Sequence, residues 1–412
     1  MNNPFQLRRE KLFTQLKDNS LTILFSGEPL RKSADSEYEF EANRNFYYLT
    51  GINEPSAILV LAKTKQGNRE ILFIRDINYD LEKWIGIFIS PKEAIEVSGI
   101  NNIQFVSGFE NYFSRSLIHM EIESVGLDGD RQNFNSQPLS SEHFAKKLTD
   151  KHPLLNLFDV YPFIAKMRLI KDEHEIKAIK EAVALTNKAI EAVLLEMKPG
   201  MYEYEMEARF LYEVHRHHGT EMFDTIMASG KNGVILHYVE NKAKTQDGDL
   251  VLFDLGAKLN HYGADISRTF PVNGVFSERQ KQIYNIVLDA MDVVTNAVKP
   301  GVTLLELNDL VKEFFVEKLT KINLIQDPFE LAKYYYHSVG HHLGLDTHDI
   351  GNTENTVLEA GMVITNEPGL YIKEENIGIR IETDLLVTNE GCIDLAPQII
   401  KTVEEIESFM KK

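Results

Sequence analysis

The strongest constraint in this 412-residue chain is that part of it is written twice. A helical pattern running from Lys171 to Gly219 is broken at Lys198-Pro199-Gly200, and a second, starting at Ser277, is broken at Lys299-Pro300-Gly301. Around the breaks, Leu195-Glu196-Met197-Lys198-Pro199-Gly200-Met201 matches Ala297-Val298-Lys299-Pro300-Gly301-Val302. Each break leads into an amphipathic helix with an early Glu, and then into strands: through Phe270 in the first half, from near Tyr336 in the second. One shared Lys-Pro-Gly arises easily by chance. The same helix–break–helix–strand order at both places does not. The pattern predicts two packed copies of one α+β unit related by a pseudo-twofold, with a site at their junction.

The strands of the first copy carry charge where burial is expected. Val251-Leu252-Phe253-Asp254-Leu255-Gly256 and Gly263-Ala264-Asp265-Ile266-Ser267 read as two strands joined by a polar turn, Ala257 to Tyr262. A lone Asp in such a setting costs several kcal/mol or is forced to neutralise. Two on paired strands need positive charge between them, and a metal ion supplies it most simply.

The duplication requires the second copy to offer the same, and it does. His237, Asp254 and Asp265 in the first half are followed by His348, Glu367 and Glu382 in the second. Strand alternation places Arg380, Glu382 and Asp384 on one face of their segment, and Leu252, Asp254 and Gly256 on one face of theirs. Four converging carboxylates would hold most of each other protonated unless cations sat among them. Two divalent metals bridged by carboxylates resolve this. A further nitrogen ligand is offered by His337, His341, His342 and His348, which crowd into the short segment before Glu367. A single histidine is more often an ordinary core or surface residue, and His342 is the most ordinary of these. The clustering argues for the group without saying which member binds. His215, His217 and His218, near a helix end, read as capping or surface residues.

The length calls for at least two domains. Residues 1–165 alternate strand-like and helix-like patterns, for example Leu21 to Phe25, Ala57 to Ala62, Ile71 to Ile74 and Ser124 to Asp128, and read as an α/β domain. Residues 166–412 contain the duplication. With 44 basic against 62 acidic side chains and a net charge of -18, a nucleic-acid partner is not expected. Cys392 is the single cysteine, so no intrachain disulfide forms. No apolar run is long enough to span a bilayer, and the first residues lack the apolar core of a secretory signal. The expectation is a cytoplasmic protein with neither membrane nor nucleic-acid partner.

At this point the residues carry a resemblance. The second domain resembles the pita-bread metallopeptidases, the fold of methionine aminopeptidase, prolidase and aminopeptidase P. The resemblance rests on the ordered set His237, Asp254, Asp265, His341, His348, Glu367 and Glu382. It is reinforced by the phrases Ile235-Leu236-His237-Tyr238, Asn366-Glu367-Pro368-Gly369-Leu370-Tyr371 and Gly378-Ile379-Arg380-Ile381-Glu382. The first domain is similar to the N-terminal domain of the creatinase/aminopeptidase P type, through the stretch from Asp35 to Pro55 and, more weakly, Glu82-Lys83-Trp84-Ile85-Gly86. One departure is Glu39-Phe40-Glu41-Ala42-Asn43, where that family more often has Pro, an aromatic, Arg and Gln. The implied fold class is α+β, a pita-bread catalytic domain made of duplicated halves with a smaller N-terminal α/β domain.

The resemblance implies Asp254, Asp265, His341, Glu367 and Glu382 as ligands of two metal ions, most often manganese. It also implies His237, His337 and His348 as histidines around the substrate, Arg380 as a residue orienting the carboxylates, and Glu367 as a proton shuttle. The oxygen-rich set with one imidazole that the resemblance implies suits Mn(II), with Co(II), Fe(II) or Zn(II) as alternatives. The implied function is an aminopeptidase that releases the first residue of peptides with proline second, by attack of a hydroxide bridging two metals. The acidic cluster would hold the substrate's α-amino group. In this family the N-terminal domain serves oligomerisation and substrate access by reaching a neighbour's active site, so a homodimer or homotetramer is expected. Trp84 reads equally as such a contact or as a core residue. The alternatives are a prolidase restricted to Xaa-Pro dipeptides, and a metal-free creatinase-like hydrolase or inert binding relative. The last would have lost ligand carboxylates that this chain keeps.

Overall fold

The computed structural model describes residues 3–130, 135–352 and 355–411. The chain divides into two compact units, Met1–Arg168 and Leu169–Lys412.

The first unit is built on a sheet of β1 (Ser20–Phe25), β2 (Ile58–Thr64), β3 (Gly67–Ile74), β4 (Ile103–Phe105), β5 (Ser124–Leu127) and β6 (Asn156–Asp159). Their order is β4-β3-β2-β1-β5-β6, with β2 antiparallel to its neighbours and the remaining pairs parallel. Such a sheet must be covered on both faces, and the helices do this: α1 (Pro4–Phe13), α2 (Arg44–Thr50), α3 (Tyr79–Ile85), α4 (Pro91–Ser98), α5 (Phe109–His119), α6 (Ser140–Lys151) and α7 (Tyr161–Leu169). Leu21, Ile23, Val60, Phe73 and Val125 pack with Phe109 and Phe113 of α5 and Phe144 of α6. The aromatic stretch after Glu41 forms α2. The Asn43 side chain caps it by accepting from the Asn45 and Phe46 amides, and Phe46, Tyr48 and Leu49 are buried. Helix α3 buries no residue, and Trp84 on it is 85% exposed, which removes the core reading of that tryptophan.

In the second unit the duplication is visible in detail. Helices α8 (Glu173–Glu196) and α9 (Glu203–His215) precede β7 (Thr220–Glu221), β8 (Ile226–Ser229), β9 (Leu250–Leu255), β10 (Ala257–Leu259), β11 (Tyr262–Gly263) and β12 (Ile266–Pro271). Helices α10 (Glu278–Ala297) and α11 (Leu304–Lys321) precede β13 (Val363–Asn366), β14 (Gly369–Ile372), β15 (Ile377–Arg380), β16 (Thr383–Val387) and β17 (Cys392–Asp394), and α12 (Val403–Met410) closes the chain. Gly200 and Gly301, at the two Lys-Pro-Gly breaks, have φ of +90° and +93°, a conformation in which any other residue would be strained. The early glutamates do the same job in both copies. Glu205 accepts from the Tyr202 amide at 2.7 Å and Glu306 from the Thr303 amide at 2.8 Å, each closing the start of its helix.

Three expectations need correction. The turn between the two aspartate strands is itself a hairpin, β10–β11, turning at Asn260 and His261, both at positive φ. Asp265 consequently lies just ahead of β12 instead of inside a strand. The segment Ile379 to Asp384 is likewise two strands, β15 and β16, broken at Ile381-Glu382. Finally, no strand begins near Tyr336. Residues 339–343 run beside β13, with Glu367 N donating to Val339 O, Thr365 N to His341 O and Leu343 N to Val363 O, yet only one bridge, His342 to Ile364, forms. Gly340 explains part of this: a Cβ there would meet the Thr365 carbonyl oxygen at 2.1 Å, so the backbone is pressed too close for a regular strand.

Candidate metal centre

The central ladder pairs β9 with β12 so that Asp254 lies opposite Ser267, which puts Asp254, Ser267 and, two residues before Ser267, Asp265 on one face. The second half meets it through Glu382, whose amide donates to the Ser267 carbonyl at 3.0 Å. Glu367 follows β13 directly and Glu382 precedes β16. The ladder Asn366–Thr383 brings the two glutamates to adjacent positions. A cavity of about 500 Å³ opens here, lined by His237, Asp254, Asp265, His337, His341, His348, Glu367, Arg380 and Glu382, with Phe223, Ile226, Leu236 and Val239 as its apolar wall. Every side chain singled out from the sequence as a candidate site residue therefore lines one cavity. His342 does not; it is fully buried outside it.

Ligand atoms of Asp265, His341 and Glu382 all lie within 4.8 Å of one another. His341 Nε2 is 3.4 Å from Asp265 and 3.6 Å from Glu367. Its Nδ1 lies 3.1 Å from the His342 carbonyl, so a proton on Nδ1 leaves the Nε2 lone pair facing the carboxylates. Arg380 crosses behind the acids. Nη2 donates to Asp254 Oδ2 at 2.5 Å, Nε to Ser267 Oγ at 2.8 Å and Nη1 to the Tyr371 hydroxyl at 3.0 Å, while Ser267 donates to Glu382 at 2.7 Å. The Tyr371 hydroxyl lies 2.8 Å from His337 Nε2, and His337 Nδ1 is 2.7 Å from the Ser338 carbonyl. The proton inventory closes with a neutral His337 that carries its proton on Nδ1 and accepts from Tyr371. Burial and then the Arg380 charge push its pKa down to about 4, in keeping with that state.

The carboxylates are held under electrostatic stress. Burial, then their neighbours, pushes Glu382 well above the ordinary range and raises Asp254 despite Arg380. Burial raises Glu367 to about 7, against the opposing pull of His341 and Arg380. For His341 burial works downward, but Asp265 and Glu367 outweigh it and lift the imidazole to about 9, so its Nε2 lone pair becomes available only as a cation displaces the proton. Asp254 Oδ1 is buried with no hydrogen-bond partner. An orphaned carboxylate oxygen, mutually repelling acids and one imidazole aimed among them form a donor set that divalent cations fit.

Sequence reasoning missed three contributors and placed a fourth, Asp384, without its partner. Ser267 links Arg380 to Glu382. Tyr371 links Arg380 to His337. Thr365 accepts from the His341 amide at 3.0 Å and lies 3.4 Å from Glu367. Asp384 is fully buried and accepts from the Asp265 amide at 3.3 Å. Ser267 was within reach of strand alternation, two residues from Asp265. The others depend on which strands pair, which spacing alone does not reveal.

Comparison with known proteins agrees with this geometry. Residues 177–389 match the model of metallopeptidase family M24, and residues 5–122 match the aminopeptidase P N-terminal domain. The Xaa-Pro aminopeptidase of Escherichia coli K12 is 34% identical over 98% of this chain and 97% of its own length. That of Haemophilus influenzae is 34% identical over 98% and 96%. Among solved structures, aminopeptidase P from E. coli with the inhibitor Pro-Leu superposes with a TM-score of 0.91 at 33% identity, covering 100% of this chain and 98% of that one. The chain belongs to the aminopeptidase P family of M24 metallopeptidases, with the N-terminal domain and the C-terminal pita-bread domain of that family.

Proposed function

We propose that this member of the family is a metal-dependent Xaa-Pro aminopeptidase that releases the N-terminal residue from peptides with proline in the second position. The observation that carries the reading is the convergence of Asp254, Asp265, Glu367, Glu382 and the His341 imidazole in one cavity, with an oxygen of Asp254 left unpartnered. Asp254, Asp265, His341, Glu367 and Glu382 are assigned as the residues that hold two divalent ions, Mn(II) being the best match to an oxygen-rich set with one nitrogen. Ions bound there supply Lewis acidity, polarising the scissile carbonyl and acidifying water.

The remaining work falls to the chain's own side chains. Glu367 faces the same cavity as the other acids, the placement a carboxylate needs to take up a proton from the attacking water and deliver it to the leaving nitrogen. His237 and His348 stand at the cavity rim, where each can donate to the oxygen of the tetrahedral species or to the substrate backbone. Arg380 fixes the orientation of Asp254 and, through Ser267, of Glu382. The acidic wall attracts the substrate's α-ammonium, which limits cleavage to the first peptide bond.

The N-terminal unit is assigned the role of oligomerisation and substrate access, with a homodimer or homotetramer as the working form and the exposed Trp84 as a contact. A cytoplasmic setting is part of the reading, supported by the single cysteine. Hydrolysis of a proline-containing tripeptide and of the matching Xaa-Pro dipeptide, each with and without Mn(II), tests the proposal. Metal-dependent release of the first residue from the tripeptide is expected. Action on the dipeptide alone would make the protein a prolidase.

A further inference from the structure

A second cavity, about 610 Å³, opens in the catalytic unit, and its charge is opposite to that of the first. Lys231, Lys333 and Lys373 line it together with Tyr336 and Tyr371, and none of its lining residues is acidic. In a chain with 62 acidic against 44 basic side chains, three lysines facing one hollow with no carboxylate in its wall stand out from their surroundings. Lys333 is paired with Glu330 at 2.9 Å. Lys231 and Lys373 are exposed, and neither makes an ion pair or a side-chain hydrogen bond within the described residues, so their charges are free to meet a ligand.

Two features join this cavity to the catalytic one. Tyr371 lines the lysine cavity, while its hydroxyl is bonded to His337 and Arg380, which both line the catalytic cavity. One strip of chain also borders both, Val234 and Ile235 on the lysine side and Leu236 and His237 on the other. The strip is fixed in place: Tyr336 donates to the Val234 carbonyl at 2.7 Å, and Gly233 lies flush against Gly378 of β15, where a Cβ would meet the Gly233 oxygen at 1.9 Å. A short peptide is a zwitterion. With its ammonium at the acidic wall, its carboxylate faces away, and an extended chain advances about 3.3–3.6 Å per residue. A carboxylate a few residues beyond the proline is thus the group that such a chain carries away from the acidic cavity, toward the side of the strip where the lysines lie. A negative cavity beside a positive one forms a field aligned with that dipole.

We propose that the cavity lined by Lys231, Lys333 and Lys373 is a carboxylate-binding subsite for the leaving fragment, which makes short peptides with a free C-terminus the preferred substrate class. The inference rests on the aminopeptidase reading of the neighbouring cavity.

The test compares the wild type with a Lys231→Met/Lys373→Met double variant on Ala-Pro-Ala-Ala, its C-terminal amide, and Ala-Pro-Ala-Glu amide. Binding of the fragment Pro-Ala-Ala and its amide is measured in parallel by calorimetry. The wild type is expected to show a KM about tenfold lower for the free acid than for the amide, a ratio worth about 1.4 kcal/mol, and the double variant to bring that ratio close to one. Recovery of tight binding by the glutamate-bearing amide would assign the site to carboxylates in general; no recovery would assign it to the chain terminus alone. Equal KM values for acid and amide in the wild type, or a ratio unchanged in the double variant, would overturn the subsite. If no peptide is cleaved but Pro-Ala-Ala binds more tightly than its amide in the wild type only, the subsite stands and the aminopeptidase reading falls.

Discussion

Arg380 grips one oxygen of Asp254 at 2.5 Å and leaves the other, buried, without a hydrogen-bond partner. A guanidinium directly beside a carboxylate would by itself make a complete ion pair. Here the geometry divides the carboxylate: one oxygen is held by the guanidinium and the other is left open, as the proposed role of Asp254 as a metal ligand requires. The same guanidinium reaches Ser267 and Tyr371. Lysine has a single nitrogen and cannot span the three. Arg380→Lys is therefore expected to weaken metal affinity and lower kcat/KM by about 10–100-fold, measured by Mn(II) titration and by peptide hydrolysis. Full metal retention with unchanged kinetics would refute this role.

Asp265→Ala and Glu382→Ala are expected to abolish turnover by losing metal, not by weakening substrate binding. Both side chains are buried, and each lies among the carboxylates that raise their neighbours' pKa. Elemental analysis after dialysis against a chelator, followed by Mn(II) restoration, distinguishes the two causes. A variant that regains its metal in full and still hydrolyses peptide at the wild-type rate would exclude that residue as a ligand.

What was legible in the sequence, and what was not, follows from the range of the forces involved. The duplication and the buried acids could be read because Lys-Pro-Gly breaks, helix periodicity and the desolvation of Asp254 are all local. The parts that depended on pairing could not. Asp265 lies outside the strand expected for it because Asn260 and His261 fold the intervening turn into its own hairpin. The histidine segment reads as a strand, but contact with Thr365 across Gly340 keeps it irregular. Asp384 looked like a face-mate of Glu382 and no more, until the Asp265 amide was found bonded to it. In the first unit, β4 and β6 are only three and four residues long, too short for periodicity to register.

Glu203 was hidden for another reason. A glutamate in the first turn of a helix normally reads as a solvated partner of the helix dipole. Instead it is fully buried and accepts five hydrogen bonds, from Ser229 N and Oγ, Asn232 Nδ2, the Tyr238 hydroxyl and Ala243 N. It thus ties down the chain on both sides of His237. Glu203→Gln turns an acceptor into a donor opposite at least one N–H, at a cost of about 2–4 kcal/mol. A lower thermal midpoint and a reduced kcat/KM are expected together. Unchanged values of both would show that Glu203 does not organise this segment.

Trp84 sits on a helix that buries nothing, with Tyr79, Ile85 and Ile87 beside it at 75%, 59% and 89% exposure. An apolar cluster this open is unfavourable for an isolated chain. Trp84→Ser is expected to shift the protein toward smaller species in sedimentation velocity and to lower kcat/KM with it. A wild type that is already monomeric at assay concentration would rule out the oligomeric reading.

Asp128, far in sequence from the metal centre, makes a prediction about pH. Burial, then Asp130 and Asp159, lifts its carboxyl to about 7 from 3.8, even though the Asn45 amide donates to both its oxygens. The folded form thus holds a proton that the unfolded chain has already released. A folded pKa raised above the unfolded one contributes stability that is fully present below the unfolded value and is lost as pH rises through the folded one. For Asp128 the loss runs from about pH 4 to about pH 7 and amounts to at most about 4 kcal/mol. Asp128→Asn cannot ionise, so the wild type should lose stability relative to it as pH rises across that window and the two should run parallel above it. Calorimetric unfolding of the full chain from about pH 5 to about pH 8 measures the difference. A gap between the two proteins that does not change with pH would mean that Asp128 is already ionised at the acid end, held by Asn45 and Arg168 against the pull of burial.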